Sequence, residues 1–506
     1  MKRKILIPLM ILLGLIACQS SQKEHETESA IHFRLSGDEL DLPVDLLYQD
    51  GNYHLFYRYL SNGSIYRWGQ SVSNDLTHWE HQSFDLEIDS TLSMGMGSMV
   101  YDWNNISGLS AGEPTMIAFY NTVDPENLAI GSAQFLEVAY SSDNGLSWHA
   151  AADRSIVLDN LYDRVSDTKV FWHEESQKWL MLVLAGYEIR FYASGNLVDW
   201  EYQSRFGDDV YLKDGNWTTV DFFPMELDES KELKWVLTIS SDAGSPNEGS
   251  GIQYFVGDFD GFVYRASHNK PKWIDHGSDS YAGVVLGDYF ANSQPACFMS
   301  AIENSIYTKF NIHPEKSGVF SFPREMSLKE MYHDYYLVSK PMASLKSLEN
   351  KTQQLAETDM SGNLKIKETL SIPFEINLSF DVDNRLYLGM AEVFGVRMRN
   401  TQGQELIMGY HSERRYFFIA EPAISQQHPD TWDGFNYAPY VTSEPTMNFK
   451  IIVDQTSVEL YAMDGLVTLT RKFAFTGDWN SIELFADGGT IRLNGGSITE
   501  LNSVWQ

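Results

Sequence analysis

Three segments of this chain repeat one strand-and-turn pattern, and the repetition restricts the fold more than any other feature. Ser73-Asn-Asp-Leu-Thr-His-Trp79, Ser142-Asp-Asn-Gly-Leu-Ser-Trp148 and Ser194-Gly-Asn-Leu-Val-Asp-Trp200 each open a polar turn with Ser and close it with Trp six residues on. Each follows an alternating strand, at Trp68 to Val72, Leu136 to Tyr140 and Ile189 to Ala193. Asn, Asp and Gly reverse the chain, and the Trp seals the hairpin against its neighbour. Gly257-Asp-Phe-Asp-Gly261 reads as a fourth, diverged copy. Strand-turn-strand units recurring about every 50–70 residues suit a β-propeller, although the repeats alone would also suit a sandwich of similar hairpins.

Helical patterning is scarce. Ser327 to Tyr332 could make one turn, and Ser344 to Leu355 offers Leu345, Leu348 and Leu355 at roughly helical spacing. Strands then resume. Phe374 to Val382 and Phe449 to Tyr461 alternate apolar and polar residues, as sheets with one buried face do. The expected class is all-β, a propeller followed by a second all-β domain of sandwich type.

The N-terminus reads as an address. Lys2, Arg3 and Lys4 precede an apolar run from Ile5 to Ile16, too short to span a bilayer as a helix. Leu15-Ile16-Ala17-Cys18 reads as a bacterial lipobox, with Cys18 as the lipidated residue. Gln19 to Ser29 are polar and suit a flexible tether, so lipid would anchor the chain to the cell envelope, most simply the outer membrane, without crossing it. Loss of Lys2, Arg3 and Lys4 takes the formal charge from −32 to −35, which argues against nucleic acid or anionic lipid as a partner. Cys297 is the one cysteine besides Cys18, so no internal disulfide is available.

Three further stretches carry a resemblance. They are Asp41-Leu-Pro-Val-Asp-Leu-Leu-Tyr-Gln-Asp-Gly-Asn-Tyr-His-Leu-Phe-Tyr-Arg-Tyr59, Val165-Ser-Asp-Thr-Lys-Val-Phe-Trp172 and Trp217-Thr-Thr-Val-Asp-Phe-Phe-Pro224. Together they resemble the catalytic strands of glycoside hydrolase family 32, the invertases, inulinases and levanases, whose motifs read W-M-N-D-P-N-G, R-D-P and E-C-P-D. Trp68 to Trp79, Gly97 to Asn105, Gln253 to Gly261, Ser321 to Leu328 and Asp454 to Gly465 also resemble family motifs, in family order. The resemblance implies a five-bladed propeller over 31–340, a connector over 341–355 and a β-sandwich over 356–506, after a signal peptide at 1–17 and a tether at 18–30.

It also implies a pocket that departs from its frame. The family's nucleophile position falls on Leu42 and its acid/base position on Thr218, while Asp167 keeps the stabilising carboxylate. Retaining glycosidases need two carboxyl groups about 5–5.5 Å apart, and neither Leu nor Thr can attack or protonate a glycosidic bond near neutrality. Ser166 replaces an Arg, Arg58 a Gln, Thr219 a Cys, and Phe290 and Phe298 a Tyr and a Trp; Gly95 and Met96 stand before the retained Gly97-Ser98. Trp68, Arg58, Ser98, Ser166, Thr218, Asp221, Phe290 and Phe298 are then the expected sugar-binding residues. Asp41 is the candidate relocated carboxylate if a bulge near Pro43 turns it inward, with Asp208, Asp209 or Asp214 as its acid partner. No phosphate loop, nucleophilic serine or metal-ligand spacing appears, so no cofactor or metal is expected. The leading expectation is a carbohydrate-binding surface lipoprotein without family catalysis. The alternatives are an active fructan hydrolase with relocated carboxylates and a protein-docking subunit of a glycan-uptake complex.

Overall fold

The computed structural model describes residues 28–505 except 62, 85, 87, 124–134, 152–154, 158–164, 209, 211–212, 288–292, 311–317, 368–370, 383–388, 423–433 and 474–478. Cys18 and Phe290 lie outside the described residues.

Five antiparallel sheets radiate from one axis. Their inner strands are Glu39–Gln49, Ser93–Asp102, Val165–His173, Trp217–Glu226 and Tyr281–Val285. The repeated turns join the third and fourth strands of a blade. In blade one the Ser73 hydroxyl accepts from Leu76 N (2.9 Å), and Asp75 accepts from the Thr77 and His78 amides (2.8 Å each). In blade three Ser194 Oγ accepts from Asn196 N, and Asn196 Oδ1 accepts from the Val198 and Asp199 amides. In blade two the turn starts at Ser141, not Ser142: its hydroxyl accepts from Gly145 N at 2.8 Å, and one extra residue is accommodated by Asn144 and Gly145 with φ of 57° and 86°. Asp260 caps the diverged turn through Phe262 and Val263.

Neighbouring blades are laced together around the axis. Asp45 accepts from Met99 N (2.8 Å), Ser98 Oγ from Val170 N (3.0 Å), Asp167 from Val220 N (2.9 Å) and Asp221 from Val285 N (2.8 Å). Gly287 N donates to Leu46 O at 2.8 Å and closes the ring onto blade one. Polar side chains inside an apolar propeller are thus satisfied by the backbone of the next blade, as buried polar groups must be.

The second domain is a β-sandwich in which one long strand, Trp479–Leu501, pairs in turn with both layers. The connector differs from expectation. Ala343–Leu348 form a 3-10 helix, but Glu349–Leu355 is already a sandwich strand paired with the long strand. Ser327 to Tyr332 likewise lies in strand Arg324–Met331 and the turn after it. Ser29 and Ala30, placed in the tether by the sequence, belong to the fold: Ser29 is buried, and Ala30 and Ile31 donate backbone bonds to Asp454 of the sandwich. Local pattern could not show the pairing of Glu349–Leu355 or the bonds of Ser29, because their partners lie more than 100 residues away.

The domains meet over buried charge. Arg324 bonds Asp275 at 2.8 Å and Glu459 at 2.6 Å, while His32 bridges Asp454 (2.7 Å) and Glu459 (2.8 Å). Residues 276–279 run beside Thr468 and Thr470 through backbone bonds. A side chain at Gly277 would strike the Thr470 backbone, so this approach requires glycine.

Candidate functional site

The mouth of the propeller is set by the first residues of the inner strands. On the first of these the register shifts between Leu40 and Pro43 and again between Pro43 and Asp45, so the strand carries the bulge expected near Pro43. Leu42 turns into the core and is 7% exposed, whereas the Asp41 side chain stays half-buried. Asp41 pairs with Arg58, whose guanidinium lies 4.4 Å above the Tyr66 ring.

On the neighbouring fifth blade, Tyr281 donates its hydroxyl proton to Thr218 Oγ1 at 2.7 Å, and Thr218 donates to Ser240 O at 3.2 Å. Burial pushes the Tyr281 phenol up to about 12; the Thr218 bond opposes this, and the charges of Asp242 and Asp41 add to it. Tyr281 therefore stays protonated near neutrality and acts as a hydrogen-bonding group, not a base. Ser166 is half-buried on the third inner strand.

Deeper lie groups that serve the frame. Asp167 is 4% exposed, and its two oxygens accept from Thr168 N and Val220 N. Burial holds its carboxyl well above the usual range against those two bonds, with the Asp221 charge adding to the rise. Lys169 sits between Asp45 (2.9 Å) and Asp221 (3.3 Å), a buried cation shared by two carboxylates. Burial also raises Asp221, and the Lys169 charge opposes the rise.

Several expected sugar ligands are elsewhere. Trp68 is 2% exposed and donates its indole proton to Gly95 O at 2.8 Å, between Phe84 and Tyr120. It lies on the third strand of blade one and fills the seam with blade two instead of lining the mouth. Phe298, 1% exposed, lies against Gly283, because a second-strand ring packs onto the inner strand wherever that strand has no side chain. Ser98 donates to Asp45, and Asp221 faces Lys169, so both belong to the axial ring. Asp208 is a solvated loop carboxylate paired with Arg205, and Asp214 is exposed; Asp209 lies outside the described residues. The structure therefore brings together Asp41, Arg58 and Thr218, and adds Tyr66 and Tyr281. The site also includes Asp45 and Lys169, which sequence reasoning missed, though a charge between Val44 and Leu46, and another just before Val170-Phe171-Trp172, signals a buried partner.

The chain matches the glycosyl hydrolases family 32 N-terminal domain over residues 32–341 and the family 32 C-terminal domain over residues 344–502. It belongs to glycoside hydrolase family 32. This family 32 chain is 31% identical to a levanase of Bacillus subtilis, over 99% of its own length and 76% of that protein's. It is 28% identical to the extracellular exo-inulinase of Aspergillus awamori, over 94% of each chain. The crystal structure of that exo-inulinase superposes with a TM-score of 0.81 at 26% identity, covering 94% of this chain and 98% of the other. The β-fructofuranosidase of Schwanniomyces occidentalis shares the fold, with a TM-score of 0.81 at 24% identity, over 94% of this chain and 98% of that one.

Proposed function

We propose that this family 32 chain is a lipid-anchored protein of the bacterial cell envelope that binds a fructan-type oligosaccharide at the propeller mouth without hydrolysing it. The observation that carries this reading is the state of the two motif positions. Leu42 is packed in the core, and the Thr218 hydroxyl is engaged by Tyr281 and Ser240, so neither position can supply a carboxyl group. Asp167 alone cannot form a glycosyl-enzyme bond or protonate a leaving oxygen. What the mouth does offer is hydrogen bonding: Asp41 as acceptor, Arg58 as donor, the Ser166 hydroxyl as either, and the Tyr281 and Thr218 oxygens as acceptors, since their own protons go to Thr218 and Ser240. A neutral sugar presents hydroxyls of both kinds, and the Tyr66 ring adds an apolar surface.

A second reading has a specific observation behind it. The bulge keeps Asp41 at the mouth, where an active hydrolase with a relocated carboxylate would need it, and the relatives include levanases. Sugar release separates the two. Incubation of the purified chain with sucrose, inulin and levan should liberate no fructose, while calorimetry with short fructo-oligosaccharides should show binding. Turnover above ~1 per second, near the low end of typical enzymes, would overturn the binding reading, and its loss in Asp41→Asn would establish the relocated carboxylate. Absence of both turnover and binding would favour a docking subunit. The anchor is tested separately: Cys18→Ser should move the protein from the membrane fraction to the soluble fraction, and unchanged retention would sink lipidation at that residue.

A further inference from the structure

The five inner strands that open at the mouth also enclose a cavity at the other end of the propeller axis. Its volume is about 360 Å³, within the range of about 300–1,000 Å³ that small-ligand sites occupy. Every inner strand contributes, through Leu47, Val100, Val170, Phe223 and Val285 among others. Leu47 lies six residues beyond Asp41, which at about 3.3 Å per residue sets the cavity roughly 20 Å from the mouth. The buried Lys169 and Asp221 are the first residues of their strands to reach it, so the axial charges stand between cavity and mouth.

The wall is apolar and partly open. Phe171, Trp172 and Pro224 are half-buried, and Leu233, at the start of strand Leu233–Ser241, is 38% exposed. The rim is acidic. Glu174 and Glu175 begin the turn after the third inner strand, and both are exposed. The Glu174 carboxylate accepts from Trp172 Nε1 at 2.7 Å and from Gln177 Nε2 at 3.1 Å, two neutral donors that hold it in place. Among the described residues neither glutamate has a cation partner. Lys169 is the one cation in the described lining, and Asp45 and Asp221 already share it. His173 packs its ring against Trp235 and Phe259, and burial lowers its pKa against the pull of Glu175 and Asp260, so it adds no charge near neutrality.

An apolar wall under an acidic rim selects its ligand. An anion would face two unpaired carboxylates. A sugar would give up water along a wall that offers its hydroxyls few partners. An apolar body fits the wall, and a positive charge at one end of it meets Glu174 and Glu175. The aromatic rings of Phe171 and Trp172 also favour a cation over an anion. We infer that this cavity is a binding site for a small amphipathic cation, an aromatic or branched apolar body carrying an amine. Glu174 and Glu175 hold the ammonium, and the body lies against Phe171, Trp172, Pro224 and Leu233. The inference does not rest on the function proposed above, since Asp41, Arg58, Ser166, Thr218 and Tyr281 are not in the lining.

Calorimetry of the full-length chain with tryptamine, the neutral tryptophol and the anionic indole-3-acetate tests this, because the three share one ring system and differ in charge. Tryptamine should bind at least about fivefold tighter than tryptophol, and indole-3-acetate most weakly. Glu174→Gln with Glu175→Gln removes the charge and keeps an oxygen for Trp172 to donate to, so tryptamine should fall to the affinity of tryptophol. A Cβ at Gly287 meets Leu47 Cδ2 at 3.3 Å and Leu46 O at 3.6 Å, so Gly287→Leu narrows the cavity without striking the backbone. It should weaken tryptamine and tryptophol alike. Thermal melting checks that each variant is folded, and the exposed glutamate pair guards against Gly287→Leu failing to fold. Equal affinities for tryptamine and tryptophol, or no binding of tryptamine to the wild-type chain, overturns the inference. So does an undiminished preference for tryptamine in the folded Glu174→Gln, Glu175→Gln variant. Undiminished tryptamine binding by folded Gly287→Leu overturns it as well, because the ligand would then lie elsewhere.

Discussion

The domain interface and the propeller mouth both hold charged side chains, and they hold them in opposite ways. At the interface Glu459 accepts from His32, Arg324, Tyr461 and the Phe322 amide, and Asp454 from His32, Ser29 and the backbone of Ala30 and Ile31. All these charged groups are buried. At the mouth Asp41 has Arg58, and their side chains keep 24% and 18% of their surface exposed. A buried charge must be fully paired or it costs several kcal/mol, so the interface is over-determined and resists change. A pair that keeps part of its surface in water is partly screened and contributes less to stability than a fully buried one. The charges that hold the domains together are therefore distinct from those that remain partly exposed at the mouth.

The strongest way to break that comparison is Arg324→Met. It leaves Asp275 and Glu459 facing each other without their shared cation, and breaking a buried pair of this kind costs about 3–5 kcal/mol. The midpoint of urea unfolding should fall accordingly. If Arg58→Gln lowers it as much, the two regions are not energetically distinct.

A smaller effect is expected at His32 and should depend on pH. Burial opposes its charge, but the hydrogen bonds and charges of Asp454 and Glu459 outweigh burial and raise the pKa from 6.5 to about 9. Burial likewise opposes ionisation of the two carboxylates, yet His32, with Arg324 acting on Glu459, holds both down at about 2. A raised histidine stabilises fully below its unfolded value and loses that contribution as pH rises through the folded value. His32→Gln should therefore lower stability by up to roughly 3 kcal/mol at pH 6, with the difference from wild type shrinking between pH 6.5 and 9. The carboxylate contributions run the other way, present above their unfolded values and lost as pH falls towards 2. Melting curves of both proteins across this range would show it, and a difference independent of pH would mean that His32 is neutral in the fold.

The smallest change in stability is expected at the mouth. Arg58→Gln should alter the unfolding free energy by about 1 kcal/mol, well below the Arg324→Met effect because water still reaches the pair, while weakening short-oligosaccharide binding at least about tenfold. Calorimetry and urea unfolding on one preparation would sharpen the contrast. A neutral result in both would place Arg58 outside the binding surface.

Much of this was legible in the chain alone. The Ser-to-Trp turns encode themselves locally, because a hydroxyl or carboxylate capping amides two or three residues on needs no distant partner. Alternation marked the sandwich strands, and Pro43 marked where a bulge would turn Asp41 inward. The faces of Trp68, Phe298, Ser98 and Asp221 were not legible. Alternation divides a strand's side chains between two faces, but in a propeller both faces of an inner strand can meet another blade, and which one is open depends on strands far away in sequence. The same holds for Asp45 with Lys169, for Glu349–Leu355 as a strand, and for Ser29 held by Asp454. The chain by itself determined the repeating unit, the two domains and the family motifs, because these depend on neighbours in sequence. Only the tertiary structure decided which polar groups lace the blades, which lock the domains and which remain at the surface for a ligand, because burial and pairing are set by residues that meet only when the chain is folded.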